Sequence, residues 1–171
     1  MRSKLAILAL LAGLYGIQAS AETTQVKQIN GREFRGTSAG AHVFSPSGVL
    51  QLFCFPDSNN STAAAQLRLP SGASLQSMRL YAVDSGSQDL QVSLSKGCQP
   101  SFAGGPITST SLLTLSTSGT PGNTTVTGAI PLQPVVDNEQ CVYTIIARFG
   151  DTTTACDPNL QLQRVRLQWA K

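Results

Sequence analysis

The segment Gly36-Thr37-Ser38-Ala39-Gly40 fits the G-x-S-x-G pattern of an acyl-transfer nucleophile, and the single histidine, His42, follows four residues after Ser38. In α/β-hydrolases such a serine stands on a sharp strand-to-helix turn and passes its proton to a histidine far downstream. Here no helical periodicity follows the motif and no histidine lies beyond His42. The segment therefore reads as a small-residue loop, and a hydrolase built on Ser38 is the least favoured function. Carboxylates offer a second chemistry. A pair facing each other about 5–9 Å apart would cleave a glycosidic bond, and several converging oxygens would hold Ca²⁺. Asp84, Asp89, Asp137, Glu139, Asp151 and Asp157 all fall in or beside turns, where Asp ordinarily accepts hydrogen bonds from its own backbone. No D-x-D-x-D-G loop occurs. The expectation is no enzyme and no cofactor, with loop-bound Ca²⁺ as the one metal to consider.

Two further residue sets bear on function. Cys54, Cys98, Cys141 and Cys156 contain no C-x-x-C pair and have only one imidazole in the chain to join them, so they read as two disulfides. Phe53 and Phe55 share a strand face opposite Cys54 and are the positions to inspect for an aromatic platform that stacks on sugar. Core packing would use the same two rings. Trp169 is in phase with Val165 and Leu167 and is expected to point inward.

These side chains need a frame, and the ends of the chain delimit it. Arg2 and Lys4 precede the apolar run AILALLAGLYGI, and Ala19-Ser20-Ala21 gives the A-x-A arrangement read by signal peptidase. Residues 1–21 are expected to be a cleaved signal peptide, and 171 less 21 leaves 150 residues, enough for one domain. Residues 22–34 form a polar N-terminal arm or tail, and residues 35–171 the folded domain. No second apolar run of membrane length follows, so a secreted or periplasmic protein is expected, with no membrane partner after cleavage.

Without Arg2 and Lys4, ten basic residues face nine acidic ones, and only 12% of the chain is charged. No basic run of the kind that neutralises phosphates is visible, which argues against nucleic acid. A surface of Ser, Thr, Gln and Asn suits a neutral partner, a glycan or a protein surface. Only Lys27, Lys96 and Lys171 remain as lysines to guard sheet edges. The alternative function is therefore a structural or adhesive subunit that forms oligomers through its edges, with residues 22–31 reaching onto a neighbour.

The elements are strands throughout. In QLRLPSGASLQSMRLYAVDSGSQDLQVSL, starting at Gln66, apolar residues alternate with polar ones, as half-buried strands require. Pro70 and Gly72 occupy the second and fourth places of a turn, and DSGSQ makes another. Met78-Leu80-Ala82 and Leu90-Val92-Leu94 read as the two arms of a β-hairpin with one wet face. Further strands are expected over 48–55, 107–116, 123–132, 141–149 and 160–169. The last slips phase between Leu162 and Val165, and a β-bulge at Gln163-Arg164 would restore its apolar set to the core. Eight or nine short strands without a helix make an all-β, two-sheet antiparallel sandwich, jelly-roll-like. If strand 89–96 lies antiparallel beside 141–149, Cys98 meets Cys141 and Cys54 is left for Cys156. The pairing of Cys54 with Cys98 and Cys141 with Cys156 stays open.

The segments LRLPSGASLQSMRLYAVD, DLQVSLSK, VVDNEQCVYTIIAR and LQLQRVRLQW resemble, in that order, a widespread group of uncharacterised secreted bacterial proteins. That group shows LP-x-GA, an aromatic-rich strand ending in Asp, D-L-x-x-S-L, V-D-N-x-x-Y-x-Y and V-R-I-x-Y strands. The likeness spans residues 63–169; Cys141 and Ala82-Val83 depart from it, where aromatic residues are usual. The resemblance implies a secreted β-sandwich and brings no catalytic residue or ligand with it.

Overall fold

Apolar alternation becomes burial along the strands over 62–67, 74–84, 90–98, 141–149 and 160–170. The structure is a computed structural model that describes residues 22–37, 43–44, 52–53, 62–99, 107–118, 122–150 and 157–171, with backbone alone at 43–44 and 52–53. Eleven strands lie within these residues: β1 (Thr24–Asn30), β2 (Arg35–Gly36), β3 (Val43–Phe44), β4 (Leu52–Phe53), β5 (Thr62–Leu67), β6 (Ser74–Asp84), β7 (Leu90–Cys98), β8 (Thr108–Ser116), β9 (Gly122–Ala129), β10 (Cys141–Phe149) and β11 (Leu160–Ala170). A 3₁₀ turn over Gly31–Glu33 separates β1 from β2.

The strands form two antiparallel sheets. The first has the order β3-β4-β11-β6-β9, with β1 also paired to β11, and the second has the order β2-β5-β10-β7-β8. Counting only the eight long strands, the orders are first-eighth-third-sixth and second-seventh-fourth-fifth. This is the jelly-roll connectivity expected from the sequence. The inner faces supply Met78, Leu80 and Ala82 from β6, Val165 and Leu167 from β11, Leu90, Val92 and Leu94 from β7, and Tyr143, Ile145, Ala147 and Phe149 from β10. Each large aliphatic side chain among them contributes roughly 1.5–3 kcal/mol when buried. The Tyr143 hydroxyl accepts from the Asp137 amide at 3.1 Å, which fastens the loop before β10 to the core.

The disulfide and the bulge take the positions expected of them. Cys141 stands opposite Cys98 in the β7–β10 register, and the two form a disulfide. The β6–β11 register shifts between Leu162 and Arg164, so the predicted bulge returns Val165, Leu167 and Trp169 to the buried side. Residues 1–21, Cys54 and Cys156 lie outside the described residues.

Three expectations change. The stretch from Gln66 is not a hairpin: β6 belongs to the first sheet and β7 to the second. Alternation marks which face of a strand is buried, and two strands facing each other across a core carry the same alternation as two strands side by side. The turn before β6 runs from Pro70 to Ala73, closed by the Ala73 amide on the Pro70 carbonyl. Gly72 thus occupies the third place with φ +81°, where a type II turn requires a positive angle. Residues 22–34 are not a loose arm. Thr24–Asn30 pairs along its whole length with Ala170–Arg164, and Thr23 and Lys171 exchange backbone hydrogen bonds beyond it. This edge strand contributes only Ile29 to the fully buried core, which is why its alternation is faint. Along one side, its backbone groups are satisfied by β11 of its own chain.

Candidate functional site

The outward face of the first sheet gathers the residues best suited to a ligand. On β6 the outward positions include Arg79 and Tyr81, and the bulge on β11 leaves Arg164 and Arg166 pointing the same way. The register then builds two rows across four strands. One runs Gln28, Arg166, Arg79, Thr127 and the next Asn30, Arg164, Tyr81, Thr125. Arg164 lies over the Tyr81 ring, its guanidinium carbon 4.2 Å from the ring centre, a stacked cation–π arrangement. Arg79 Nε donates to Thr127 Oγ1 at 2.9 Å. A recess of about 20 Å³ opens between Ser77, Arg79, Thr127, Arg166 and Gln168, room for roughly one water. Amides flank the arginines: Gln168 Nε2 donates to Gln76 at 3.3 Å and Gln163 Nε2 to Asn123 at 3.3 Å.

The charge on this face is one-sided. No strand position in the described part of it carries a carboxylate. Glu33, just beyond β1, accepts from the Asn30 amide at 3.0 Å. Arg79 and Arg166 stand directly opposite each other, an arrangement of like charges that destabilises a sheet. The Tyr81 phenol responds to its surroundings. A hydrogen bond from Arg79 holds it below its ordinary value, helped by Arg166 and by the charges of Arg79 and Arg164 and opposed by desolvation.

Neither Arg79, Arg164, Arg166 nor Tyr81 stands out in the sequence as a site residue. Arg79 is separated from Arg164 and Arg166 by most of the domain, and only the β6–β11 pairing brings it to them. The usable signal was the outward phase of RVRLQW beside that of SMRLYAV, which becomes informative once the two strands are known to be neighbours.

The predicted site residues fall elsewhere. Ser38, His42, Phe55 and Asp151 lie outside the described residues, and Phe53 is placed by backbone alone, opposite Gln161 of β11 and Val43 of β3. Trp169 is inward and 6% exposed. Asp137 accepts from the amides of Glu139 and Gln140, and Asp157 from those of Asn159 and Ser87, the turn-forming role expected of them. Asp89 accepts from Ser116. Asp84 departs from that expectation. It occupies an inward position at the end of β6 and is fully buried, and neither carboxylate oxygen has a hydrogen-bond partner among the described residues. Among the described residues no three of His, Cys, Asp and Glu come together as a metal site, and no helix is long and apolar enough to cross a membrane.

A second concavity lies on the outer face of the other sheet. This groove of about 340 Å³ is lined by Ser93, Ser95, Ser111, Thr114, Ile146 and Arg148 among others. Its hydroxyls bond one another, Ser93 to Thr114 at 2.9 Å and Ser111 to Thr114 at 3.3 Å. Its described lining presents no aromatic ring and a single cation.

No protein-family model matches the chain, and no curated protein matches its sequence. Solved structures do match its fold. The C-terminal CBM6 of LamC, a marine laminarinase from Zobellia galactanivorans, superposes with a TM-score of 0.51 at 11% identity, over 84% of this chain and 98% of that one. The xylan-binding module CBM15 gives 0.49 at 9% identity, over 85% of this chain and 97% of that one. The exo-β-1,3-galactanase of Phanerochaete chrysosporium gives 0.48 at 14% identity, over 84% of this chain but only 29% of the enzyme. The chain thus shares the β-sandwich fold of a carbohydrate-binding module.

Proposed function

We propose that the protein is a secreted or periplasmic, non-catalytic binding module that holds a polysaccharide across the outer face of the first sheet. The observation that carries this reading is the Tyr81 face itself. An aromatic ring, three guanidinium groups and several amide side chains lie in register on one open sheet surface. Rings offer apolar faces to sugar C–H groups, and planar donors such as guanidinium and amide match hydroxyl pairs. The fold shared with a laminarinase CBM6 supports it. The Cys98–Cys141 disulfide supports an oxidising compartment.

Native gel electrophoresis through a series of immobilised polysaccharides tests the reading. Retardation by at least one of them, abolished by Tyr81→Ala in a folded variant, is the expected result. Free migration through every polysaccharide, or retardation that Tyr81→Ala leaves intact, would refute the site.

A further inference from the structure

We infer that the Arg79, Arg164 and Arg166 face takes a glycan bearing oxyanions, either the carboxylates of uronic-acid residues or sulfate esters. The inference rests on the polysaccharide-binding reading above and names the chemistry of the sugar. Net charge alone favours a neutral partner; the placement of the charges favours an anionic one. Arg79 and Arg166 face each other across the β6–β11 ladder, and Arg164 lies two residues before Arg166 on the same side. At the usual strand spacing and rise, the three positions lie within roughly 5–8 Å of one another. No carboxylate among the described positions of this face relieves their repulsion. A bound oxyanion between them would relieve it.

The geometry fits such a ligand. Arg79 Nε is engaged with Thr127 Oγ1, which restrains the guanidinium on this face. Arg164 is held over the Tyr81 ring, 4.2 Å from its centre, which restrains its guanidinium on this face. Guanidinium forks match carboxylate and sulfate oxygens two at a time. The recess between Arg79 and Arg166 has the volume of a single oxygen-sized group. The lowered Tyr81 phenol reports the same local positive field. Pre-ordered donors lower the entropic cost of binding.

Polygalacturonate provides the test, because its carboxylates can be left free or methyl-esterified on one backbone; dextran and dextran sulfate make the matching pair for sulfate. Titrations by calorimetry should show the free acid, the sulfate polymer or both bound at least about ten-fold more tightly than the neutral counterpart, with affinity falling as salt rises. Arg79→Gln and Arg166→Gln should each weaken that binding roughly ten-fold or more, the scale of a lost hydrogen bond to a charged group. Arg148→Gln, on the opposite sheet, should not. Binding of neutral polysaccharides that the two variants leave unchanged would overturn the oxyanion inference and preserve the binding module. Failure to bind any polysaccharide would overturn both. Duplex DNA held as tightly as the acidic polymers would also overturn the inference, since any polyanion would then serve.

Discussion

Replacing Cys98 and Cys141 together with serine probes the one disulfide that the structure describes, and its cost can be worked from the fold. The bond joins positions 43 residues apart in sequence, closing a loop that contains β8 and β9. The chain-entropy relation for a loop of that size gives about 13 cal/mol/K, or about 4 kcal/mol at 25 °C. Both positions are only partly exposed, and serine hydroxyls there can reach water, so no further penalty for a buried polar group is expected. The β7–β10 ladder, which ends at the bond, keeps its backbone hydrogen bonds in the variant. For a domain of this length the loss corresponds to a fall in melting temperature of roughly 8–16 °C. Equilibrium unfolding in urea would measure it through the sole tryptophan, Trp169, which is buried in β11. The urea slope should rise, because the uncrosslinked denatured chain exposes more surface. A loss below about 1 kcal/mol would refute the reasoning, since it would mean that the crosslink does not restrict the denatured chain.

Three further outcomes follow from the sites described. Tyr81 should ionise below the ordinary phenol range in an ultraviolet titration; Tyr81→Phe should remove that transition and Arg79→Gln should raise its midpoint. Because the folded value is lowered, this group adds stability as pH rises from the folded midpoint towards 10, and the contribution is lost as pH falls through that midpoint. Arg166→Gln should raise thermal stability by up to about 1 kcal/mol while weakening binding, because it removes a like-charge pair across the ladder; a less stable variant would mean that the pair is compensated. Asp84→Asn should leave the melting temperature unchanged or higher, since it replaces a buried carboxyl whose oxygens accept nothing among the described residues. A loss of about 3 kcal/mol or more would show that a cationic partner holds that carboxylate.

The sequence was most informative where one residue's position fixes another's. Once β7 and β10 are read as antiparallel neighbours, Cys98 must meet Cys141, and a phase slip in LQLQRVRLQW must be a bulge if Trp169 is to stay inside. It was least informative where alternation has two solutions. Leu80 of β6 and Val92 and Leu94 of β7 are buried whether the two strands pair or face each other, so the crossing between sheets had no local signature. The Thr24–Asn30 edge strand was hidden because its stability comes from the backbone ladder with β11 and from Ile29, not from a run of apolar residues. The candidate face was hidden for a related reason. Outward arginines look like ordinary surface residues until strand order places Arg79 opposite Arg166 and Tyr81 opposite Arg164.

The most direct test of glycan binding at this face is a nuclear magnetic resonance titration of the ¹⁵N-labelled protein with acidic oligosaccharides, reading which backbone amides shift. Shifts are expected to centre on Arg79, Tyr81, Arg164 and Arg166, with Thr125 and Thr127 at their margin. Shifts centred on Ser93, Thr114 and Arg148 of the other sheet, or no shifts at ligand excess, would contradict binding there.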